Sequence, residues 1–376
     1  MKIGIDIRCL LEKNYSGISE YTYNLLNELL KIDQKNQYFL FYNELKSAHF
    51  EEPFKFSNVF YKKFNFPNKL FNLLMSFFGL PKVDRLISGV DVFLMPGFLF
   101  ASFSKNCRKI LVVHDLSFEI YPKFFTYKKR LWHKLIKPKK MCREADLIVS
   151  VSENTKNDLI NLYQINPEKI KVIYPGLSEI FIKPIEENQL KKIKEKYQLP
   201  NNFIFYLGNL EPRKNLESLI KAFELIKEPI NLVVAGSLAW KYQKIKKYCQ
   251  KSKKKDRIKF LGYVPAEDKP ALYSLAKIFI YPSIYEGFGL PVLETMACGT
   301  PVITSANSSL IEVASDSAIL IDPYNINDLV NGINLLLNDE KLQQILRERG
   351  IKQAAKFNWS NVAREFLKII ESGAGH

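Results

Sequence analysis

The chain has 376 residues, of which 47% are hydrophobic and 25% charged, and its basic side chains outnumber its acidic ones by 16. That length exceeds one ordinary core and, at roughly 150 residues per domain, predicts two or three domains; the composition excludes a disordered or fibrous chain. The longest apolar stretch, residues 70–80, is interrupted by Asn72 and Ser76 and closed by Pro81, well short of the ~20 apolar residues that span a bilayer.

Short β-rich runs alternate with helical patterns, the signature of parallel α/β sheets. Residues 2–7 read as a first strand and 18–31 as a helix with apolar side chains at helical spacing. Further strands are predicted at 37–42, 90–95, 109–113, 147–150 and 171–174. A pause follows: Tyr174-Pro175-Gly176, an irregular stretch to Pro184 and a Lys/Glu-rich helix at 186–197 read as a hinge. The second half repeats the scheme, with strands at 203–207, 231–235, 258–261, 278–281, 301–304 and 318–321, and closes with helices at 328–337, 339–357 and 360–370. Two similar halves predict two doubly wound domains, residues 1–178 and 179–358, facing a central cleft, with the helix at 359–372 packing back on the first.

Asp6 and Arg8 interrupt the apolar run that a secretory leader needs, so a cytoplasmic location is expected. Cys9, Cys107, Cys142, Cys249 and Cys298 never form a C-x-x-C pair and read as reduced, buried thiols, not as a disulfide frame or a metal site. Basic charge is clustered. Residues 123–143 hold nine basic side chains and no acidic one, and residues 241–259 hold ten against Asp256 alone. Such blocks attract phosphates or serve as solvated faces. Residues 71–78, Phe-Asn-Leu-Leu-Met-Ser-Phe-Phe, add apolar and aromatic side chains to the first block, the composition of a peripheral face on an anionic membrane.

The segment Tyr281-Pro-Ser-Ile-Tyr-Glu286-Gly-Phe-Gly-Leu-Pro-Val-Leu-Glu294 carries the most chemistry. A strand ends near Ser283 and a helix begins near Leu290 with Pro291 in its first turn, where a missing N–H costs nothing. Gly287 and Gly289 let backbone amides at the helix start approach an anion, most simply a diphosphate. Glu286 and Glu294 flank that site. Carboxylates repel phosphate but accept from neutral hydroxyls, so the pattern points to a nucleotide sugar, one glutamate on the sugar and the other on the ribose. Gly287-x-Gly289-x-x-Val292 lacks the third glycine of a dinucleotide fingerprint, which argues against a nicotinamide enzyme.

A second element, Gly208-Asn-Leu-Glu-Pro-Arg213-Lys214-Asn215, follows a strand and precedes a helix that Asn215 is placed to cap. Its two cations sit where open α/β sheets bind ligands and would neutralise a diphosphate leaving group. In the first half, the loop from Arg8 to Gly17 opens a helix whose amides could meet the same diphosphate. Val112-Val113-His114-Asp115 ends an inner strand, which makes His114 a candidate for catalysis or sugar contact.

With these segments, the chain resembles the retaining glycosyltransferases of family 4, which have the GT-B fold, along nearly its whole length. Glu286 and Glu294 match the family's Glu-x7-Glu signature, and Gly208 to Asn215 its Gly-x-x-x-Pro-x-Lys loop. The resemblance implies that Glu286, Gly287, Phe288, Gly289 and Leu290 hold the donor sugar and Glu294 the ribose. It places Arg213, Lys214 and Gly17 on the diphosphate, His114 on the sugar, Gly208 and Asn209 in the donor loop, and Val264 on the base through its backbone. Many members carry Arg where this chain has Asn209; Arg213 supplies that charge in the Glu-Pro-Arg-Lys-Asn form, which looks most like mannosyltransferases. The implied activity is transfer of a hexose, mannose first, from GDP-mannose or a UDP-hexose to a glycan or lipid-linked acceptor. No Asp-x-Asp is present to chelate a divalent ion, and neither metal nor cofactor is expected. An epimerase or hydrolase of the same fold is the alternative. A basic nucleic-acid binder would leave the two-glutamate loop without purpose, so no nucleic-acid partner is expected.

Overall fold

Val-, Ile- and Phe-rich runs of three to seven residues, bounded by Gly, Pro and Asn, form strands, and the longer amphipathic segments between them form helices. The computed structural model describes residues 1–12, 15–44, 50–237 and 242–372. Lys13 and Asn14 of the loop before Gly17, and Lys241 with the side chains of Lys244 and Lys246 in the second basic block, lie outside the described residues. The chain divides into two units: Met1–Leu116, Tyr127–Gly176 and Asn358–His376 make the first, Ser117–Thr126 and Leu177–Phe357 the second.

In the first unit β1 (Lys2–Asp6), β2 (Gln37–Asn43), β3 (Val59–Phe64), β4 (Val92–Met95), β5 (Arg108–Val113), β6 (Leu147–Ser150) and β7 (Ile170–Val172) form one sheet in the order β3-β2-β1-β4-β5-β6-β7. All its pairings are parallel. The edge strand β3 is the one the sequence pattern does not predict: Val-Phe-Tyr-Lys-Lys-Phe is only half-buried, and its lysines blunt an open sheet edge. The helix Trp359–Glu371 packs on Gly17–Ile32, where the Trp359 ring meets Tyr21 edge-on at 5.2 Å and Ser360 donates to Glu28 at 3.0 Å. Arg108 Nη1 donates to the carbonyl of Ile369 at 2.7 Å.

In the second unit β8 (Phe203–Leu207), β9 (Asn231–Ala235), β10 (Ile258–Gly262), β11 (Ile278–Tyr281), β12 (Val302–Ser305) and β13 (Ile319–Ile321) order as β10-β9-β8-β11-β12-β13, again all parallel. Strands with Ile and Val on the covered faces pack under the helices Leu216–Leu225 and Ile326–Asn338. In each sheet the chain runs outward to one edge and then returns to build the other side. The reversal falls between β1 and β4 in the first sheet and between β8 and β11 in the second. Ligands of open α/β sheets bind outside the carboxyl ends of the strands at such a reversal.

Three cysteines are buried, whereas Cys9 and Cys298 are only partly so, which corrects the expectation that all five are buried; all five are free thiols. Among the described residues no helix is long and apolar enough to cross a membrane.

Gly236, just after β9, holds the end of β8 in place. Its φ is +138°, and a Cβ there would lie 2.0 Å from the Gly208 carbonyl oxygen. The Gly208 amide donates to Ala235 O at 3.0 Å and the Leu210 amide to Ser237 O at 2.9 Å, so the two strand ends are laced together at closest approach. Gly236→Ala is therefore expected to destabilise the protein by at least about 2 kcal/mol, from backbone strain and overpacking together. Chemical denaturation checks this, and an unchanged midpoint would show that the strand ends can part without cost.

Candidate functional site

At the reversal of the second sheet, the loops after β8 and β11 bring their charges together. Residues 212–214 form a short 3-10 turn, and Ile284 donates its amide to the Arg213 carbonyl at 2.9 Å, tying one loop to the other. Arg213 Nη1 donates to the Tyr285 carbonyl at 2.6 Å and to Glu286 Oε2 at 3.0 Å, while Nη2 donates to Glu211 Oε1 at 2.8 Å. Lys214 Nζ donates to Glu286 Oε1 and to the Tyr281 hydroxyl, both at 2.6 Å. Ser283 Oγ donates to Glu286 Oε1 at 2.5 Å. Two cations thus meet two carboxylates, and Glu286 is only 6% exposed.

Burial alone would raise the Glu286 carboxyl, but the charges of Arg213 and Lys214, with hydrogen bonds from Lys214 and Ser283, outweigh it and hold its pKa at about 2. Burial pushes the Lys214 ammonium below its ordinary value, and the neighbouring Glu286 opposes that shift. Burial, reinforced by the charge of Glu286, keeps the Tyr281 hydroxyl protonated far above neutrality. Lys214 spends two of its three N–H donors inside this cluster, so the third can meet an anion. Glu286 Oε2 accepts from Arg213 and retains a lone pair for a hydroxyl.

The rest of the β11 loop is built around its glycines. Gly289 adopts φ +112° and heads the helix Leu290–Ala297; a Cβ there would lie 2.7 Å from Leu310 Cδ2. Pro291 occupies the first turn. Ser309 Oγ donates to the carbonyls of Glu286 (2.9 Å) and Phe288 (2.8 Å), and the Glu286 amide donates to Ser308 Oγ at 3.1 Å, so two serines far along the chain fix the loop's path. Gly287 and Phe288 are buried and Leu290 partly so. Glu294 is buried one turn into the helix, where the Tyr273 hydroxyl donates to its Oε2 at 2.8 Å. Asn209 is exposed beside Gly208, and Val264 is buried just beyond β10. Asn215 departs from the sequence reading. It stands at the helix start in the left-handed conformation, but its Nδ2 donates to the Pro323 carbonyl at 2.7 Å and its side chain makes no cap.

Sequence reasoning missed Glu211, Ser283, Tyr281, Tyr273, Gly236 and the serine pair as site residues. Glu211, Tyr281 and Ser283 stand inside the motifs already singled out. No periodic signal sets them apart, because they stand three or five positions from Lys214 and Glu286, across loops that leave the strand pattern. Tyr273 and the serines lie about twenty residues away from what they hold, where no local pattern reveals them.

In the first unit, Gly17 opens its helix with nothing within 4 Å of the position a Cβ would take. Ser16 Oγ caps the helix through the Ser19 amide, and the Glu12 carboxylate accepts from the Ser16 amide at 3.3 Å and from Ser19 Oγ at 2.9 Å. This helix start therefore already has a carboxylate beside it. His114 follows β5, partly exposed, with its ring edge-on to Tyr21 at 4.9 Å. Its Nε2 lies 2.7 Å from the Pro96 carbonyl oxygen. A carbonyl can only accept, so Nε2 carries the hydrogen and Nδ1 is the basic nitrogen. Burial lowers the His114 pKa, against the Pro96 bond and the charge of Asp115, and the ring is neutral at pH 7. Gly97 adjoins both Ile18 and His114, which places the helix start and the histidine side by side.

A family model described as Glycosyl transferases group 1 matches residues 187–353, and one described as Glycosyltransferase Family 4 matches residues 15–179. The chain is 32% identical over 269 residues to O-antigen chain mannosyltransferase B of Escherichia coli, covering 70% of each chain. Among solved structures, sucrose-phosphate synthase from Thermosynechococcus elongatus superposes with a TM-score of 0.81 at 21% identity, covering 99% of this chain and 98% of the other. Anabaena HepE in complex with UDP-glucose superposes with a TM-score of 0.76 at 18% identity, covering 99% and 100%. At those identities the two structures establish the fold, GT-B, with its two Rossmann-like units.

The charge cluster has a pH signature. The folded pKa of Glu286 lies below the ordinary 4.5, so between 4.5 and about 2 the unfolded chain binds a proton that the folded one does not, and stability falls as pH falls through that window. Wild type should exceed Glu286→Gln in unfolding free energy by on the order of 3 kcal/mol at pH 7, and the gap should close towards pH 2. Urea denaturation at stepped pH measures it; a gap that stays constant with pH would contradict the assignment.

Proposed function

We propose, for a chain that belongs to the group 1 and family 4 glycosyltransferases and is a hexosyltransferase, that it transfers mannose from GDP-mannose, with retention of configuration and without a metal ion, to a hydroxyl of a glycan or lipid-linked acceptor. The observation that carries this reading is the Arg213–Lys214–Glu286 cluster at the sheet reversal. There a diphosphate would find the third N–H of Lys214, and a sugar hydroxyl the free lone pair of Glu286. Mannose is favoured because the E. coli relative, at 32% identity, is a mannosyltransferase. A UDP-hexose is the second donor class, since the structurally similar HepE holds UDP-glucose.

As the bond from the anomeric carbon to the diphosphate breaks, negative charge grows on the leaving oxygen. Fixed positive groups in a site closed to water stabilise that charge without reorganising. Arg213 and Lys214 take the role a divalent ion plays elsewhere, assisted by the amides before the helix Leu290–Ala297. The acceptor oxygen attacks the face the diphosphate leaves, and a phosphate oxygen takes its proton. Glu286, held near pKa 2 and paired with two cations, is a poor nucleophile and serves to bind the sugar. Glu294, steadied by Tyr273, would accept from the ribose, and the backbone at Val264 would meet the base. Gly208, Asn209, Gly287, Phe288, Gly289 and Leu290 would line the donor site. In the first unit, neutral His114 would offer Nδ1 to a hydroxyl and the turn at Gly17 an amide to an anion. Free thiols and a nucleotide-sugar donor fit work in the cytoplasm, with the acceptor on the inner membrane face.

Lys214→Ala should lose ~2–4 kcal/mol of transition-state stabilisation in kcat/KM, and wild-type turnover should be unchanged by EDTA. Product analysis with a panel of nucleotide sugars, with and without acceptor, checks both. A variant within tenfold of wild type, or complete inhibition by the chelator, would overturn the electrostatic role; sugar release or isomerisation in place of transfer would overturn the activity.

A further inference from the structure

Two helices of the first unit, Asn68–Phe78 and Tyr127–Ile136, expose apolar side chains that the unit's own core does not use. In the first helix Phe71 and Met75 turn inward, while Leu70, Leu73, Phe77 and Phe78 turn out; Phe77 is 65% and Phe78 69% exposed. In the second helix only Ile136 is buried, and Tyr127, Leu131 and Leu135, spaced four apart, form an exposed stripe. The two helices are joined. Ser76 Oγ donates to the Leu135 carbonyl at 3.1 Å, Lys137 Nζ donates to the Ser76 carbonyl at 3.4 Å, and the same ammonium lies 5.8 Å from the centre of the Phe77 ring. The apolar ridge is therefore continuous from one helix to the other. Lys128, Arg130 and Lys134, all exposed, stand on the second helix beside its stripe, in a segment where residues 127–143 contain no acidic side chain.

Adjacent phenylalanines two-thirds open to solvent are costly in water and mark a surface that meets something apolar. The charge decides what. A second copy of this face would set its lysines against like charges, which disfavours self-association. Apolar side chains projecting from helices, with long basic side chains at their rim, match the boundary between acyl chains and anionic headgroups: rings and leucines enter the hydrocarbon edge while ammonium and guanidinium groups stay with the phosphates. We infer that this two-helix ridge is a docking surface for an anionic phospholipid bilayer. The surface stands on its own geometry. Only its purpose, bringing the enzyme to a lipid-linked acceptor, rests on the function proposed above.

Flotation of the full chain, without nucleotide sugar, tests it on vesicles of phosphatidylcholine alone and of phosphatidylcholine with about 30 mol% phosphatidylglycerol. Binding is expected on the anionic vesicles only and is weakened by salt. The pair Phe77→Ser with Phe78→Ser, and separately Lys128→Glu with Lys134→Glu, should each lower it by at least about tenfold. A thermal shift by nucleotide sugars, measured on the same variants without lipid, should match wild type and shows that the fold and donor site are intact. The inference is overturned if anionic vesicles do not retain the protein or if neither variant weakens binding. It is equally overturned if the protein is a dimer that the phenylalanine variant dissociates while wild type ignores lipid. If no nucleotide sugar shifts the melting point but the vesicle results hold, the donor reading fails and the docking surface remains.

Discussion

A buried carboxylate gripped by two cations is the interaction on which the candidate site depends. Charges removed from water are stable only when paired and hydrogen-bonded, and loss of one member leaves the others uncompensated at a cost of about 3–5 kcal/mol. Glu286 meets that requirement with Lys214 on one oxygen, Arg213 on the other and Ser283 as a further donor, while Arg213 reaches back to Glu211. The cluster is electrically balanced as it stands, so it needs no ligand to persist. Its cations are fixed in place before any anion arrives, the preorganisation that makes electrostatic stabilisation of a developing charge effective.

The fold supplies this arrangement through strand order. Because β8 and β11 are neighbours although far apart in sequence, the loops that follow them emerge side by side, and residues some 70 positions apart become hydrogen-bond partners. Two glycines permit the close approach: Gly236 lets the end of β9 touch that of β8, and Gly289 lets the chain turn directly into a helix. The first sheet repeats the same reversal with different chemistry. Its loops offer a helix start already flanked by Glu12 and a neutral histidine whose tautomer is set by the Pro96 carbonyl.

Much of this was legible in the sequence, because the governing signals are local. Alternation of apolar runs with amphipathic segments marks parallel strands buried on both faces, and the Gly-flanked glutamates and Arg-Lys turn mark the two strand ends that come together at the reversal of the second sheet. What escaped is what depends on distant partners or on exposure. Strand β3 has lysines where an inner strand would have valines, and only its place at the sheet edge explains them. Asn215 looks like a helix cap until the fold presents the Pro323 carbonyl to it. The pairing of Lys214 and Arg213 with Glu286 was also hidden: each motif reads separately as a binder of phosphate or of sugar, and their mutual neutralisation follows only from the sheet order.

The central claim, that cations at the reversal of the second sheet grip a pyrophosphate while glutamates hold the groups on either side, is tested most directly by a crystal structure of the protein with GDP or UDP. The account predicts the distal phosphate within hydrogen-bonding distance of Lys214 or Arg213 and the ribose hydroxyls on Glu294. A nucleotide bound away from both the 208–215 and 286–294 segments would contradict it.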